Sequence, residues 1–127
     1  MPQTNSNNFT INKDIQNEFI FTIKQNDSLL PMIIDLSDTF SFKIYDIDTD
    51  KLFKEVNMTS SQDGIITIFD AANGQIKVVL NSDPLFRKER GSKEDKYYLK
   101  PTYRILIEGT TVNNGLISAK VPFVYVE

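Results

Sequence analysis

The 127 residues include no cysteine, no histidine and no tryptophan. Without cysteine there is no disulfide framework, thiolate nucleophile or Cys/His zinc centre. Without histidine there is no Ser-His-Asp triad and no imidazole to move protons near neutral pH. A carboxylate pair of the glycosidase kind remains available in principle. However, the 17 acidic residues cluster in turns, where solvation keeps carboxyl groups ionised. Glycine-rich phosphate loops are also missing, since single glycines sit in turn positions. The expectation is a protein that is not an enzyme, with no catalytic residues, cofactor or metal.

Positive charge is in short supply as well. The 14 Lys and Arg residues stand against 17 Asp and Glu, a net −3. Binding nucleic acid takes a basic surface that displaces phosphate counterions, so no nucleic-acid partner is expected. Long apolar runs are absent. The longest, Leu29 to Ile34, has six residues and contains Pro31, against about 20 for a membrane-spanning helix. The opening MPQTNSNNFTINKD has neither the basic nor the apolar region of a secretory signal. The sequence reads as soluble, with no membrane partner.

What is present is a core-forming fraction of 40% hydrophobic residues, including nine Phe and five Tyr, enough for one domain of this length. From residue 19 the hydrophobic period is two. Phe19, Phe21 and Ile23 alternate with Ile20, Thr22 and Lys24, and Phe40, Phe42 and Ile44 repeat the pattern, as strands with one apolar face do. Pro31 to Leu36 reads as a short edge segment, because proline cannot donate to a ladder. Leu52 to Thr59 places Val56 and Met58 on one face. Asp63-Gly64 and Asn73-Gly74 precede the runs Ile65–Phe69 and Ile76–Leu80, with glycine supplying the positive φ of tight turns. Tyr103, Ile105 and Ile107 align beyond Pro101. Asn113-Asn114-Gly115 is the strongest hairpin signal, and it leads to Ala119, Val121, Phe123 and Tyr125 on one shared face. Seven to eight short strands, with turns about every 8–12 residues, make an all-β antiparallel sandwich. A closed barrel fits the same periodicity.

Three features bear on binding. Asp46, Asp48 and Asp50 alternate like the start of a calcium loop, but Lys51 and Asn57 stand where that loop takes glycine and glutamate. A solvated turn fits the run better, and whether the three bind an ion stays open. The segment Phe86–Lys96 carries eight charges in eleven residues, five of them basic: Arg87, Lys88, Arg90, Lys93 and Lys96. It is read as a long solvated loop or, more sharply, as a docking loop. Residues 1–16, Asn-rich with isolated Phe9, Ile11 and Ile15, read as an extended arm, either frayed or ordered only against a partner. The protein-contact candidates are therefore Phe9, Ile11, Ile15, Arg87, Lys88, Arg90, Lys93 and Lys96. Tyr97, Tyr98, Tyr103 and Tyr125 are assigned to the core or a sheet face before any interface.

The order of strands and turns resembles the immunoglobulin-like N-terminal domain of baseplate upper proteins, and related sandwich domains of tailed bacteriophages. The matching features are the apolar strand Glu18–Lys24, the Pro-x-x-x-Asp-Leu-Ser segment Pro31–Ser37 leading into Phe40–Tyr45, and the Asp-Gly-Ile turn at Asp63. Tyr103–Ile107 and the valine-rich end follow. Ser28-Leu29-Leu30, where such domains often carry glycine, and the long insert Asp83–Lys96 depart from the pattern. The resemblance implies an immunoglobulin-like β-sandwich over residues 17–127, preceded by the arm 1–16. It also implies a noncatalytic virion protein, assembled in the host cytoplasm, whose partners are other virion proteins and copies of itself. A ligand- or carbohydrate-binding sandwich is the alternative, although the lack of tryptophan platforms counts against it.

Overall fold

Alternation of apolar and polar side chains builds two sheets that face each other. The computed structural model describes residues 9–25, 30–87 and 101–127. The strands are β1 (Phe9–Ile11), β2 (Asn17–Thr22), β3 (Thr39–Asp46), β4 (Leu52–Asn57), β5 (Gly64–Asp70), β6 (Gln75–Leu80), β7 (Tyr103–Thr111) and β8 (Gly115–Val126). One sheet has the order β1-β8-β7-β3-β4 and the other β2-β6-β5. Labelled A to G in immunoglobulin fashion, these are the sheets A-G-F-C-C′ and B-E-D, so the chain is an immunoglobulin-like sandwich. Among the described residues no helix is long and apolar enough to cross a membrane.

The inner faces carry the core. Phe40, Phe42 and Ile44 of β3, Ile76, Val78 and Leu80 of β6, and Tyr103, Ile105 and Ile107 of β7 are buried. Each would cost about 1.5–3 kcal/mol to expose. Phe21 of β2 meets Phe42 of β3 across the sheets at 5.9 Å between ring centroids. In antibody domains a disulfide and a tryptophan hold this part of the sandwich; here two phenylalanines fill it. At the start of β7 the buried Tyr103 hydroxyl accepts a 2.9 Å hydrogen bond from the Arg87 backbone N–H. A tyrosine in this place, bonded to upstream backbone, is a recurrent tie of immunoglobulin domains. Its ring packs with Phe53 and Phe86 at 5.2 and 5.7 Å.

Three elements differ from the sequence expectation. Phe9–Ile11 is a strand of the sandwich, pairing in parallel with Val124–Val126. Ile11 is fully buried, so the side chain offered to a partner belongs to this chain's own core. The Pro31–Leu36 segment forms a single bridge, Lys24 to Pro31; it buries Met32 and Ile34 but runs as a connection. In β8 the shared face breaks after Val121. Tyr103 pairs with Val124 and Ile105 with Val121, so β8 has one extra residue, at Pro122–Phe123. The bulge reverses the alternation beyond it. Val124 and Val126 turn inward and are buried, while Phe123 is exposed.

Two glycines with positive φ separate conformational from steric cost. Gly64 has φ +142, and a Cβ there would lie 1.9 Å from the Val79 carbonyl oxygen. Gly115, φ +67 in the β7–β8 turn, has nothing within 4 Å of that position. Denaturant titration is expected to show Gly115→Ala costing about 1 kcal/mol for the left-handed backbone alone. Gly64→Ala is expected to cost about 3 kcal/mol or more, because backbone must move.

Candidate interaction surfaces

The contact residues read from the sequence have unequal standing. Phe9 is half-buried, with its ring 4.6 Å from Phe19 and 5.7 Å from Phe21. Ile15 is exposed, on a turn closed by Asn12 and Asn17: the Asn17 side chain accepts from the Asn12 N–H at 3.0 Å and donates to the Asn12 carbonyl at 2.8 Å. The Arg87 guanidinium donates to the Asp46 carboxylate and lies 3.8 Å from that of Asp48. Lys88, Arg90, Lys93 and Lys96 lie outside the described residues, as do Tyr97 and Tyr98.

The aspartate run is a turn held by internal partners. Asp46 also accepts from the backbone N–H groups of Asp48 and Thr49, at 2.8 and 3.1 Å. Burial pushes its carboxyl pKa up. The Thr49 N–H, Arg87 and the Asp48 N–H outweigh that and hold it below the ordinary value. Asp50, at φ +56, accepts from Arg104 Nε at 3.1 Å, and the Arg104 guanidinium lies 4.2 Å from the Tyr45 ring centroid. Among the described residues no group of three or more acidic side chains is arranged to hold a metal ion.

Among the described residues, one buried charge cluster was not read from the sequence. In β4, Lys54 and Val56 stand two apart and share a face, and Val56 is fully buried. The Lys54 side chain is only 10% exposed; its ammonium pairs with Asp63 at 2.7 Å and with Asp83. It also lies within 6 Å of the Phe53 and Phe86 rings. These contacts join β4, the turn before β5 and the segment after β6. The signal available was the period itself, since the Val56–Met58 face extends back to Lys54.

At the opposite end, buried Asp38 joins two turns. Its carboxylate accepts from the Asp35 N–H at 2.9 Å and from the Val112 N–H at 2.8 Å. Around it stand Leu36, Val112 and Leu116, which are 80%, 67% and 84% exposed. On the outer face beside them lies a shallow depression of about 300 Å³, lined by Thr39, Ser41, Glu108, Thr110 and Leu116 over the Gly109 backbone. Glu108 pairs with Lys43 at 2.7 Å and keeps 45% of its side chain exposed. The adjoining edge of β8 is covered by β1 only at Val124–Val126. Among the described residues, no strand pairs with that edge from Gly115 to Val121.

The Lys54 cluster sets a pH dependence. The Lys54 ammonium, the Leu85 N–H and the nearby charge hold the Asp83 carboxyl pKa below its ordinary value. A carboxyl with a depressed folded-state pKa stabilises the fold above its unfolded value, and that contribution is lost as pH falls through the folded one. Thermal melts are therefore expected to weaken progressively below about pH 4. The Asp83→Asn variant should show a shallower decline. Lys54→Met, which keeps the apolar stem but leaves Asp83 unpaired, is expected to cost about 2 kcal/mol at neutral pH by urea titration. No protein-family model matches the chain, and no curated protein is similar to it at a significant level, so its surfaces carry the functional argument.

Proposed function

We propose that this chain is a noncatalytic structural component of a tailed-phage virion, joining neighbouring proteins in a baseplate, tail, neck or capsid-associated position. The observation that carries the binding role is the Asp38 end of the sandwich. Leu36 and Val112 project into solvent from two turns locked together by one buried carboxylate. Apolar side chains on preorganised turns lose little entropy when a partner covers them, and exposed apolar clusters mark interaction surfaces. The virion setting rests on the resemblance of strand and turn order, and its partners are other virion proteins and copies of this chain. The charged segment after Arg87 adds a second contact in this reading.

A ligand- or carbohydrate-binding module is the second reading, favoured by one observation. The β8 bulge turns Phe123, exposed, and Tyr125, half-buried, to the outer face, and aromatic rings so placed are the kind of apolar platform a sugar ring packs on. The two separate cleanly. Leu36→Ser/Val112→Ser is expected to reduce incorporation into purified particles about tenfold, by quantitative mass spectrometry, with thermal unfolding unchanged. Full incorporation of that variant would remove the Asp38 end from the assembly role. Glycan-array binding abolished by Phe123→Ala would decide for the second reading.

A further inference from the structure

We infer that Asn114 is a self-modification site: in the folded chain its side-chain amide converts to an acid through a cyclic imide with Gly115. Asn73, which also precedes glycine, is protected. The inference stands apart from the assembly reading and needs no partner. Asparagine is a thermally labile side chain. The Gly115 backbone nitrogen, having lost its proton to solvent base, attacks Cγ of Asn114. The N–Cγ bond forms as the Cγ–Nδ2 bond breaks, and the side-chain nitrogen takes a proton from water and leaves as ammonia. Water then opens the imide ring at either carbonyl. Opening at Cγ gives aspartate; opening at the main-chain carbonyl gives isoaspartate, in which the main chain runs through Cγ. Glycine suits this chemistry because it has no side chain to crowd its own nitrogen.

Asparagine precedes glycine twice, at 73–74 and at 114–115, and the fold treats the two pairs differently. Asn73 ends the short 3-10 helix Ala71–Asn73. Its Nδ2 donates to the Asp70 carboxylate at 2.8 Å, and its backbone N–H donates to the same group at 3.3 Å. Gly74 is buried; its N–H donates to the Ala71 carbonyl at 3.3 Å, and its carbonyl accepts from the Ile23 N–H at 2.8 Å. A Cβ at Gly74 would lie 2.5 Å from the Met32 carbonyl oxygen and 2.7 Å from that of Ile23. The backbone there has no room to turn towards the Asn73 side chain. Asn114 and Gly115, by contrast, are both exposed. The Asn114 backbone N–H donates to the Thr111 hydroxyl at 3.1 Å, while nothing among the described residues bonds its side-chain amide. Thr111 and Gly115 are the last pair of the β7–β8 ladder, and ladder ends open at low cost. Among the described residues, no atom beyond the chain neighbours lies within 4 Å of a Cβ placed at Gly115, so the ring has space to form.

The product changes the Asp38 end. Isoaspartate lengthens the main chain between Thr111 and Gly115, whose hydroxyl-to-carbonyl bond at 2.9 Å closes the turn. Either acid adds a negative charge beside exposed Val112 and Leu116, in the turn whose Val112 N–H is bound by Asp38.

Purified full-length chain, held in warm, mildly alkaline buffer below its melting temperature, tests this by peptide mass spectrometry. The measurement reads the amide-to-acid mass change at each asparagine, and chromatography separates isoaspartyl from aspartyl peptides. Asn114 is expected to convert about tenfold or more faster than Asn73, which must first give up its Asp70 bonds and the packing of Gly74. In guanidinium chloride, where neither turn is held, the two rates should converge. Equal rates in the folded chain would overturn the site's selectivity, and a ratio that persists in denaturant would overturn its structural cause. Asn114→Gln, which would have to close a larger ring, should abolish the isoaspartyl product. An isoaspartyl product of undiminished amount in that variant would place the reaction at another residue.

Discussion

The bulge at Pro122–Phe123 is the constraint on which most of the architecture depends. A proline cannot donate to a ladder, so a strand containing one must place it at an edge or where pairing is interrupted. β8 does the latter, and the extra residue reverses which side chains face inward. Val124 and Val126 thereby enter the core, and the outer edge of that same half receives β1 in parallel. Ile11 is buried because of this pairing, and the hydrogen bonds of Lys13 and Ile11 with Glu127 close the same corner. The bulge also divides β8 in two: the half beyond it pairs with β1, while among the described residues no strand pairs with the outer edge of the half before it. One backbone irregularity thus fixes the end of the core and the course of the N-terminal strand.

With no disulfide between its sheets, the sandwich relies on several weaker ties at separated points. A disulfide typically contributes about 2–4 kcal/mol. A buried hydrogen bond nets about 1 kcal/mol, so the Tyr103 hydroxyl on the Arg87 N–H replaces only part of that. The Phe21–Phe42 contact and the Lys54 cluster supply further ties between elements distant in sequence. The Lys54 cluster works because its lysine is solvated by protein. Burial alone pulls the ammonium pKa down, yet the Asp63 and Asp83 carboxylates outweigh it and raise it. That contribution is present below the unfolded lysine value and is lost as pH rises through the folded one, the mirror image of Asp83 at low pH.

The sequence was legible wherever a strand was long enough for its alternation to be counted. Phe40–Ile44, Ile76–Leu80 and Tyr103–Ile107 point inward as their period requires, and the turn at Asn113–Gly115 closes β7 on β8. Three-residue β1 has too few alternations to register, and its partner lies more than a hundred residues away. Phe123 and Tyr125 continue the period of Val121 in the sequence, and only the ladder with β7 shows that the pleat has shifted. The surfaces were harder to read for the same reason. Arg87 is recognisable as a charge, but its commitment to Asp46 depends on a contact between residues 41 apart. Leu36 and Val112 are unremarkable in sequence, and what unites them is Asp38 bonding to backbone 74 residues away.

The sheet edges are protected unequally, and the difference has a physical meaning. An open strand is a template for unwanted pairing, and folds blunt it with inward charges, bulges and short strands. β4 carries inward-facing Lys54 and a register shift beside Tyr45; β5 has a shift near Ile68; β1 has only three residues. β2 carries Glu18, 3.7 Å from Lys77. The first half of β8 pairs with β7 in unbroken register from Gly115 to Val121, and its one charged side chain, Lys120, is the kind of edge charge that opposes added strands, so even the most regular strand of the described fold carries a guard.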